Sequence, residues 1–168
     1  HDSIVQGNYD GIWVGGKNTT LRNNIIRNNS HHGITMAGPT YGNYTGNQIT
    51  NNALIGIALQ GSYISVKSNT VSGGSEGIAV FTGAGVLVDG NTVSNTTTSG
   101  IMIGSGANRA VIKNNILQGG TYTGFYLLST TGGTNCTIYH NKVINNWLNA
   151  EIHNNLNFWN SSYPTGGN

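Results

Sequence analysis

The sequence predicts an all-β fold, a parallel β-helix of about seven coils of roughly 21–26 residues, because two apolar patterns repeat in phase along its 168 residues. The first pattern is a glycine followed by Ile or Phe, any residue and an aliphatic residue. It begins at Gly11, Gly33, Gly56, Gly77, Gly100 and Gly124, with intervals of 22, 23, 21, 23 and 24 residues. The second is Asx, any residue and an aliphatic residue. It begins at Asp2, Asn24, Asn47, Asn69, Asn91, Asn115 and Asn141.

Each coil is expected to contain three short strands. Apolar residues alternate with other residues on both sides of each Asx, as at Val86, Val88 and Val93 around Asn91. Alternation of this kind predicts strands with one buried face, and the Gly-Ile pattern supplies the third strand. One coil cannot bury its apolar face alone, so successive coils are expected to stack about 4.8 Å apart.

The repeated Asx and Gly residues have predicted structural roles. The Asx side chains are expected to stack as a ladder that satisfies backbone polar groups at a turn. The glycine before each Ile is expected to provide either a positive φ or close packing at a second turn. A degraded seventh copy of the glycine pattern is expected at 149–152, within a C-terminal segment, about 147–168, that is expected to be irregular.

Composition excludes several classes of function. The formal net charge is +2 and no cluster of Lys or Arg occurs, so nucleic acid is not an expected partner. A single cysteine, Cys136, permits no internal disulfide, and its register places it in the core. No run of eighteen apolar residues occurs, so membrane insertion of this segment is not expected. No cofactor is expected.

The two registers, together with the closing segments 137–141 and 158–168, resemble NosD-like proteins, a group of carbohydrate-binding and sugar-hydrolase (CASH) type parallel β-helices that includes archaeal surface proteins. The resemblance implies a right-handed helix and an extracellular or cell-surface location. Its members include copper-handling accessory proteins, surface-layer proteins and relatives of polysaccharide lyases. A shared fold at this level does not determine which of these functions applies.

An outward column contains the candidate catalytic residues Lys67, Asp89 and Lys113, on three consecutive coils. A polysaccharide lyase needs a base and a cation that neutralises the substrate carboxylate. The alternative is a structural ladder of salt bridges. In the column before each glycine, Asp10 and His32 could touch. Asp10 and Glu76 are three coils apart, which exceeds the separation that a paired-carboxylate glycosidase requires.

The outward residues of the Gly-Ile strands predict a contact surface. They are Trp13, Thr35, Ala58, Ala79, Met102 and Tyr126. A flat, weakly polar face that ends in aromatic residues could stack on sugar rings or pack against another solenoid. The alternative is that a loop or another part of a longer chain covers it.

No metal site is predicted from the residues. The candidate ligands are His31, His32, His140 and His153, with Met36 and Met102. His31 and His32 are adjacent and are expected to point in different directions if either lies in a strand. Met36 is expected to face the core and Met102 to face outward, so no ligands are expected to converge. A copper site is therefore implied only by the resemblance.

Residues 1–168 are expected to form one domain, either a fragment of a larger chain or an assembly subunit that stacks end to end. Asn18 and Asn135 begin glycosylation sequons in variable loops between coils. The leading hypothesis is a non-catalytic surface scaffold, adhesive or carbohydrate-contacting module, whose partners are carbohydrate or neighbouring surface-protein subunits. The second is a polysaccharide lyase, and the third is a copper-accessory protein.

Overall fold

The chain is an all-β solenoid of three parallel sheets. The computed structural model describes residues 1–38, 41–128, 133–153 and 157–159. These ranges contain twenty strands and no helix. They therefore contain no helix that could cross a membrane. Six complete coils and part of a seventh are present, which confirms the predicted architecture.

Each coil contributes one strand to each of the three sheets, which we call sheets A, B and C. Sheet A contains β1 (Ile4–Gln6), β4 (Ile25–Arg27), β7 (Gln48–Thr50), β10 (Thr70–Ser72), β13 (Thr92–Ser94), β16 (Ile116–Gln118) and β19 (Lys142–Ile144). Sheet B contains β2 (Ile12–Val14), β5 (Ile34–Met36), β8 (Ile55–Gln60), β11 (Glu76–Ala84), β14 (Ser99–Asn108), β17 (Thr123–Leu127) and β20 (Leu148–Ile152). Sheet C contains β3 (Thr20–Arg22), β6 (Asn43–Thr45), β9 (Ser65–Lys67), β12 (Leu87–Asp89), β15 (Val111–Lys113) and β18 (Thr137–Tyr139).

Equivalent residues of consecutive coils lie directly over one another. Val71 pairs with Ile49 on the preceding coil and with Val93 on the following coil, and all three are buried. The predicted period-2 alternation therefore produces one continuous apolar core. Cys136 lies in this core, as expected, and burial raises the pKa of its thiol.

The seventh copy of the glycine pattern is a regular strand. In β20, Ala150 pairs with Phe125 and Ile152 pairs with Leu127, which places Asn149 beside Gly124. The expectation that 147–168 is irregular is therefore wrong for the β20 region, because this segment pairs with β17. Residues 154–156 and 160–168 lie outside the described residues.

The predicted asparagine ladder is present and fully hydrogen bonded. Asn47 donates from both its backbone N and its Nδ2 to Oδ1 of Asn69, each at 2.9 Å, and Asn69 does the same to Asn91 at 2.9 and 3.0 Å. The buried ladder members are Asn24, Asn47, Asn69, Asn91, Asn115 and Asn141. Each amide thus links one coil to the next at the turn between sheets C and A.

Asp2 is not the first member of this ladder. Ile4 pairs with Ile25, so Ser3 stands opposite Asn24 and donates its backbone N to Oδ1 of Asn24 at 3.2 Å. Asp2 is instead equivalent to Asn23, and both residues have a left-handed φ of 55°. The prediction of Asp2 is wrong by one residue because the first coil has no Asn in the ladder position.

A second, interrupted ladder lies five residues further along the coil, at the turn between sheets A and B. Asn29 donates from Nδ2 to Oδ1 of Asn52 at 2.7 Å, and the backbone N of Asn8 donates to Oδ1 of Asn29 at 2.9 Å. Asn146 accepts the backbone N of Gly120 at 2.9 Å in the same way. This ladder was not predicted, although its fixed spacing of five residues from the first ladder is visible in the sequence.

Left-handed residues form all three turns of a coil. Around β7, the residues Gly46, Asn51 and Tyr63 have φ values of 66°, 53° and 56°. Asn and Gly tolerate this conformation best, which explains why they are abundant. The glycines of the Gly-Ile pattern are not among the left-handed residues. A Cβ at Gly56 would overlap Val71 and lie 2.7 Å from the carbonyl oxygen of Gly77, so close packing is their role.

Candidate functional site

The predicted contact surface on sheet B is interrupted in its middle. Trp13 is 63% exposed, but Ala58, Ala79 and Met102 are 2%, 0% and 5% exposed. These three residues form a second apolar cluster with Ile55, against which Phe81 and Tyr126 pack. The prediction that Ala58, Ala79 and Met102 belong to an open surface is therefore wrong, because bulky residues from neighbouring outward positions cover them.

Thr35 and Tyr126 are half-buried, so the open parts of this face lie toward its two ends. Trp13 is at the N-terminal end, and Tyr126 is at the C-terminal end. At the C-terminal end, Tyr126 pairs in register with Glu151 of β20. The predicted column is thus divided into two separate regions, and further aromatic side chains surround the second.

Five side chains at the C-terminal end of sheet B form what we call the aromatic–acid cluster: Tyr122, Tyr126, Trp147, Glu151 and His153. The rings of Tyr122 and Trp147 lie 5.1 Å apart, and Tyr126 meets His153 edge to face at 5.6 Å. Nε2 of His153 lies 2.9 Å from Oε1 of Glu151. Pairing of β17 with β20 thus brings three aromatic rings, an imidazole and a carboxylate onto one face.

The aromatic–acid cluster has both apolar and charged character. A hydrogen bond with Glu151 and the negative charge of that carboxylate raise the pKa of the Tyr122 phenol, so the phenol stays protonated. Trp147 is 69% exposed and its ring is open to solvent. Of this group, only Tyr126 and His153 were predicted as candidate residues. The alignment of 149–152 with the glycine pattern was the signal that could have added Glu151.

The lyase candidates Lys67, Asp89 and Lys113 are neighbours on sheet C, as the column predicted. Asp89 pairs with both lysines in register, and Nζ of Lys113 lies 3.7 Å from Oδ2 of Asp89. Asn114 donates from Nδ2 to Oδ1 of Asp89 at 2.8 Å. Both oxygens of Asp89 therefore already have partners, as in a structural salt-bridge ladder. A catalytic role for the three residues stays a prediction.

A second polar group lies at the turn between sheets A and B, in the first two coils. We call Asp10, His31 and His32 the histidine cluster. Oδ1 of Asp10 lies 2.9 Å from Nδ1 of His31 and accepts the backbone N of His32 at 3.0 Å. The two imidazole rings lie 3.8 Å apart. His31 and His32 precede β5, so the divergence expected of strand residues does not apply to them. The expectation that no ligand residues converge is wrong for these histidines, because they lie together in a turn.

The surroundings of the histidine cluster are partly buried. Burial alone would raise the pKa of the Asp10 carboxyl, but the hydrogen bonds from His31 and from the His32 amide outweigh it and lower that pKa. Burial and the neighbouring His31 lower the pKa of His32. Tyr9 stacks on His31 at 4.5 Å, and the backbone N of Ile55 donates to Nδ1 of His32 at 3.2 Å. Neutral imidazole is thus favoured at His32.

The remaining predicted residues are dispersed. Met36 is buried in the main core as expected, and His140 is exposed beside Tyr139 on the sixth coil. Asn18 and Asn135 are both exposed, with left-handed φ values of 53° and 57°. These two asparagines are accessible to a glycosylating enzyme, and their modification stays a prediction.

Comparisons with known proteins agree with this architecture. The family model described as a right-handed β-helix region matches residues 10–163. The solved structure of the Azotobacter vinelandii mannuronan C-5 epimerase AlgE6 A-module is similar, with a TM-score of 0.66 and 13% sequence identity over 91% of this chain and 54% of that chain. This chain thus spans about half the length of that module, and at this identity the likeness shows the fold alone. No curated protein sequence matches the chain.

Proposed function

We propose that this chain, which belongs to the right-handed β-helix family, serves as a non-catalytic module of the extracellular space or cell surface that contacts carbohydrate. The observation that carries this proposal is the aromatic–acid cluster on the outer face of sheet B. It places the exposed ring of Trp147 beside Tyr122 and the Glu151 carboxylate. The carbohydrate is contacted at this end of the solenoid rather than along the whole sheet.

The chemistry of the cluster suits a sugar ring. The C–H groups on one face of a pyranose are apolar and carry a slight positive charge, so they pack against the electron-rich face of an aromatic ring. Sugar hydroxyl groups donate to carboxylate oxygens and to imidazole nitrogen. The rings of Tyr122 and Trp147 supply the first interaction, and the exposed imidazole of His153, which Oε1 of Glu151 orients, supplies the second.

The same residues supply less of what catalysis on an acidic polysaccharide needs. Abstraction of the proton next to a uronate carboxylate requires a base and a cation that neutralises the developing negative charge. The aromatic–acid cluster contains no Lys or Arg. On sheet C, Lys113 and Asn114 occupy both oxygens of Asp89. Contact without cleavage is therefore the better-supported function, and a polysaccharide lyase that uses Lys67, Asp89 and Lys113 is the second candidate.

Fewer observations support a copper-accessory role or end-to-end stacking. The NosD-like type within the family, and with it a copper-accessory role, rests on the sequence resemblance. End-to-end stacking with neighbouring copies rests on the unpaired strand edges that an uncovered terminal coil of a solenoid offers. We keep both as proposals secondary to carbohydrate contact.

Binding of defined polysaccharides tests the proposal. The chain would be titrated calorimetrically with oligomers of mannuronate, guluronate and galacturonate and with a neutral glucan and mannan. We expect Trp147→Ala to weaken binding at least about tenfold, because loss of a stacking ring removes about 1.4 kcal/mol or more. Trp13→Ala is the matched control, since Trp13 is equally open on the same sheet at the opposite end, and it should leave binding unchanged.

Two results would contradict the proposal. One is that the wild-type chain binds none of the polymers, or that Trp13→Ala and Trp147→Ala weaken binding equally. The other is the release of unsaturated uronate products by the wild-type chain but not by Lys67→Ala, which would establish the lyase function instead.

A further inference from the structure

The histidine cluster, which is separate from the aromatic–acid cluster, brings three potential metal ligands together. One ligand atom each from Asp10, His31 and His32 lies within 4.8 Å of the other two, and all three residues are half-buried. The stacking of consecutive coils creates this proximity, because Asp10 belongs to the first coil and the two histidines belong to the second. The sequence separation of about twenty residues is one coil.

The separation of the ligand atoms is close to what a bound ion needs. Zinc holds nitrogen and oxygen ligands at about 2.0–2.2 Å, so its ligands stand roughly 3–4 Å apart. Oδ1 of Asp10 and Nδ1 of His31 are already 2.9 Å apart. The remaining adjustment is a small rotation of side chains that lie in a turn and are partly open to solvent.

The ligand atoms of Asp10 and His31 face each other in a hydrogen bond. Nδ1 of His31 and Oδ1 of Asp10 lie 2.9 Å apart, and an ion bound by both atoms takes the place of the proton between them, while Nε2 of His31 carries the ring proton. His32 offers less, because its Nδ1 accepts the backbone N of Ile55 over a long 3.2 Å bond that an ion at that nitrogen would replace.

We propose that the histidine cluster binds one divalent transition-metal ion of the class that prefers imidazole and carboxylate ligands, with zinc as the representative ion. Asp10 and His31 are its main ligands, and His32 completes the set. Tyr9, stacked on His31, covers one side of the site. The site is independent of the proposed carbohydrate contact, which lies at the other end of the solenoid.

Calorimetric titration of the chelator-treated chain with zinc chloride at neutral pH tests this proposal. We expect one ion per chain. His31→Ala and Asp10→Asn should each lower the affinity at least about tenfold, whereas His32→Ala should lower it less, because His32 must give up the Ile55 hydrogen bond to bind. His1→Ala and His140→Ala are matched controls, since both histidines are exposed outside the cluster, and each should change the affinity less than about twofold.

A second measurement keeps the test decisive if a cluster variant does not fold. Zinc added to the wild-type chain labelled with nitrogen-15 in its histidines should shift the ring signals of His31 and His32 before those of the other histidines. The proposal is overturned if no stoichiometric binding occurs, if the shifts appear at His1 or His140 instead, or if a control variant removes binding. Carbohydrate binding in the same samples reports separately on the proposed function.

Discussion

The replacement Asn69→Ala tests the physical basis of the fold. The side chain of Asn69 is fully buried in the middle of the ladder. Its Oδ1 accepts the backbone N and Nδ2 of Asn47, and its Nδ2 donates to the carbonyl oxygen of Tyr44 at 2.9 Å and to Oδ1 of Asn91 at 3.0 Å. Alanine removes all four interactions at a position that water does not reach.

The expected loss of stability follows from which partners are orphaned. Nδ2 of Asn47 keeps its bond to the carbonyl oxygen of Leu21, and Oδ1 of Asn91 still accepts the backbone N of residue 69. The backbone N of Asn47 and the carbonyl oxygen of Tyr44 each lose an interaction with the Asn69 side chain. Each buried group left without its partner costs about 1–3 kcal/mol, so we expect Asn69→Ala to lower the free energy of unfolding by roughly 2–6 kcal/mol.

Urea denaturation followed by circular dichroism measures this quantity. Thr70→Ala is the matched control, because Thr70 is the next residue along the chain and its side chain is exposed. It should lower stability by no more than about 1 kcal/mol through strand propensity. A loss for Asn69→Ala below about 1 kcal/mol, or equal to that of Thr70→Ala, would refute the view that the ladder holds consecutive coils together.

Two further predictions concern packing and burial. Gly56→Ala should be destabilising by more than about 1 kcal/mol, since its Cβ would overlap Val71 and approach the Gly77 carbonyl. Gly16→Ala is the control and should be tolerated, because its Cβ meets only a side chain 3.6 Å away. Similar melting temperatures for the two variants would contradict this prediction. Burial raises the pKa of Glu76, so the folded state favours the protonated acid, and wild-type stability relative to Glu76→Gln falls as pH rises through that raised pKa. Glu76→Gln should therefore exceed the wild type in urea midpoint at pH 7, and the difference should vanish below about pH 4.

The core and the first ladder were predictable because each depends on a residue type that recurs at a fixed spacing. Asn47, Asn69 and Asn91 had to stack once the aliphatic residues that follow them were buried on one face. The one-residue error at Asp2 has a physical cause. The first coil has serine at the ladder position, and the Asp before it fits the pattern while serving as the left-handed turn residue.

The outward faces were less predictable because periodicity does not state what lies above an outward residue. Ala58 and Ala79 point away from the main core, as their positions required, yet they are buried under Ile55, Phe81 and Met102. Small outward residues flanked by large ones on adjacent coils leave a depression that the large ones fill. Reading the column together with its neighbouring positions would have indicated this.

The sites were missed for a different reason, which is that they lie in turns and between coils. Strand alternation would separate His31 and His32, but both residues lie in a turn before β5, where their rings are 3.8 Å apart. Trp147 contacts Tyr122 across a coil of 25 residues, which is longer than the average coil. Such contacts depend on the actual length of each loop, which a consensus spacing does not contain.

The positions of the two candidate sites make their tests independent. Tyr9, His31, Tyr122 and Trp147 occupy one column at the turn between sheets A and B, with His31 on the second coil and Tyr122 on the sixth. Four coil steps of about 4.8 Å separate them by roughly 19 Å, and each coil contacts only its neighbours. A short oligosaccharide bound at Trp147 would therefore not reach His31. Removal of zinc from the histidine cluster should leave sugar binding unchanged unless the ligand is long enough to follow the whole column.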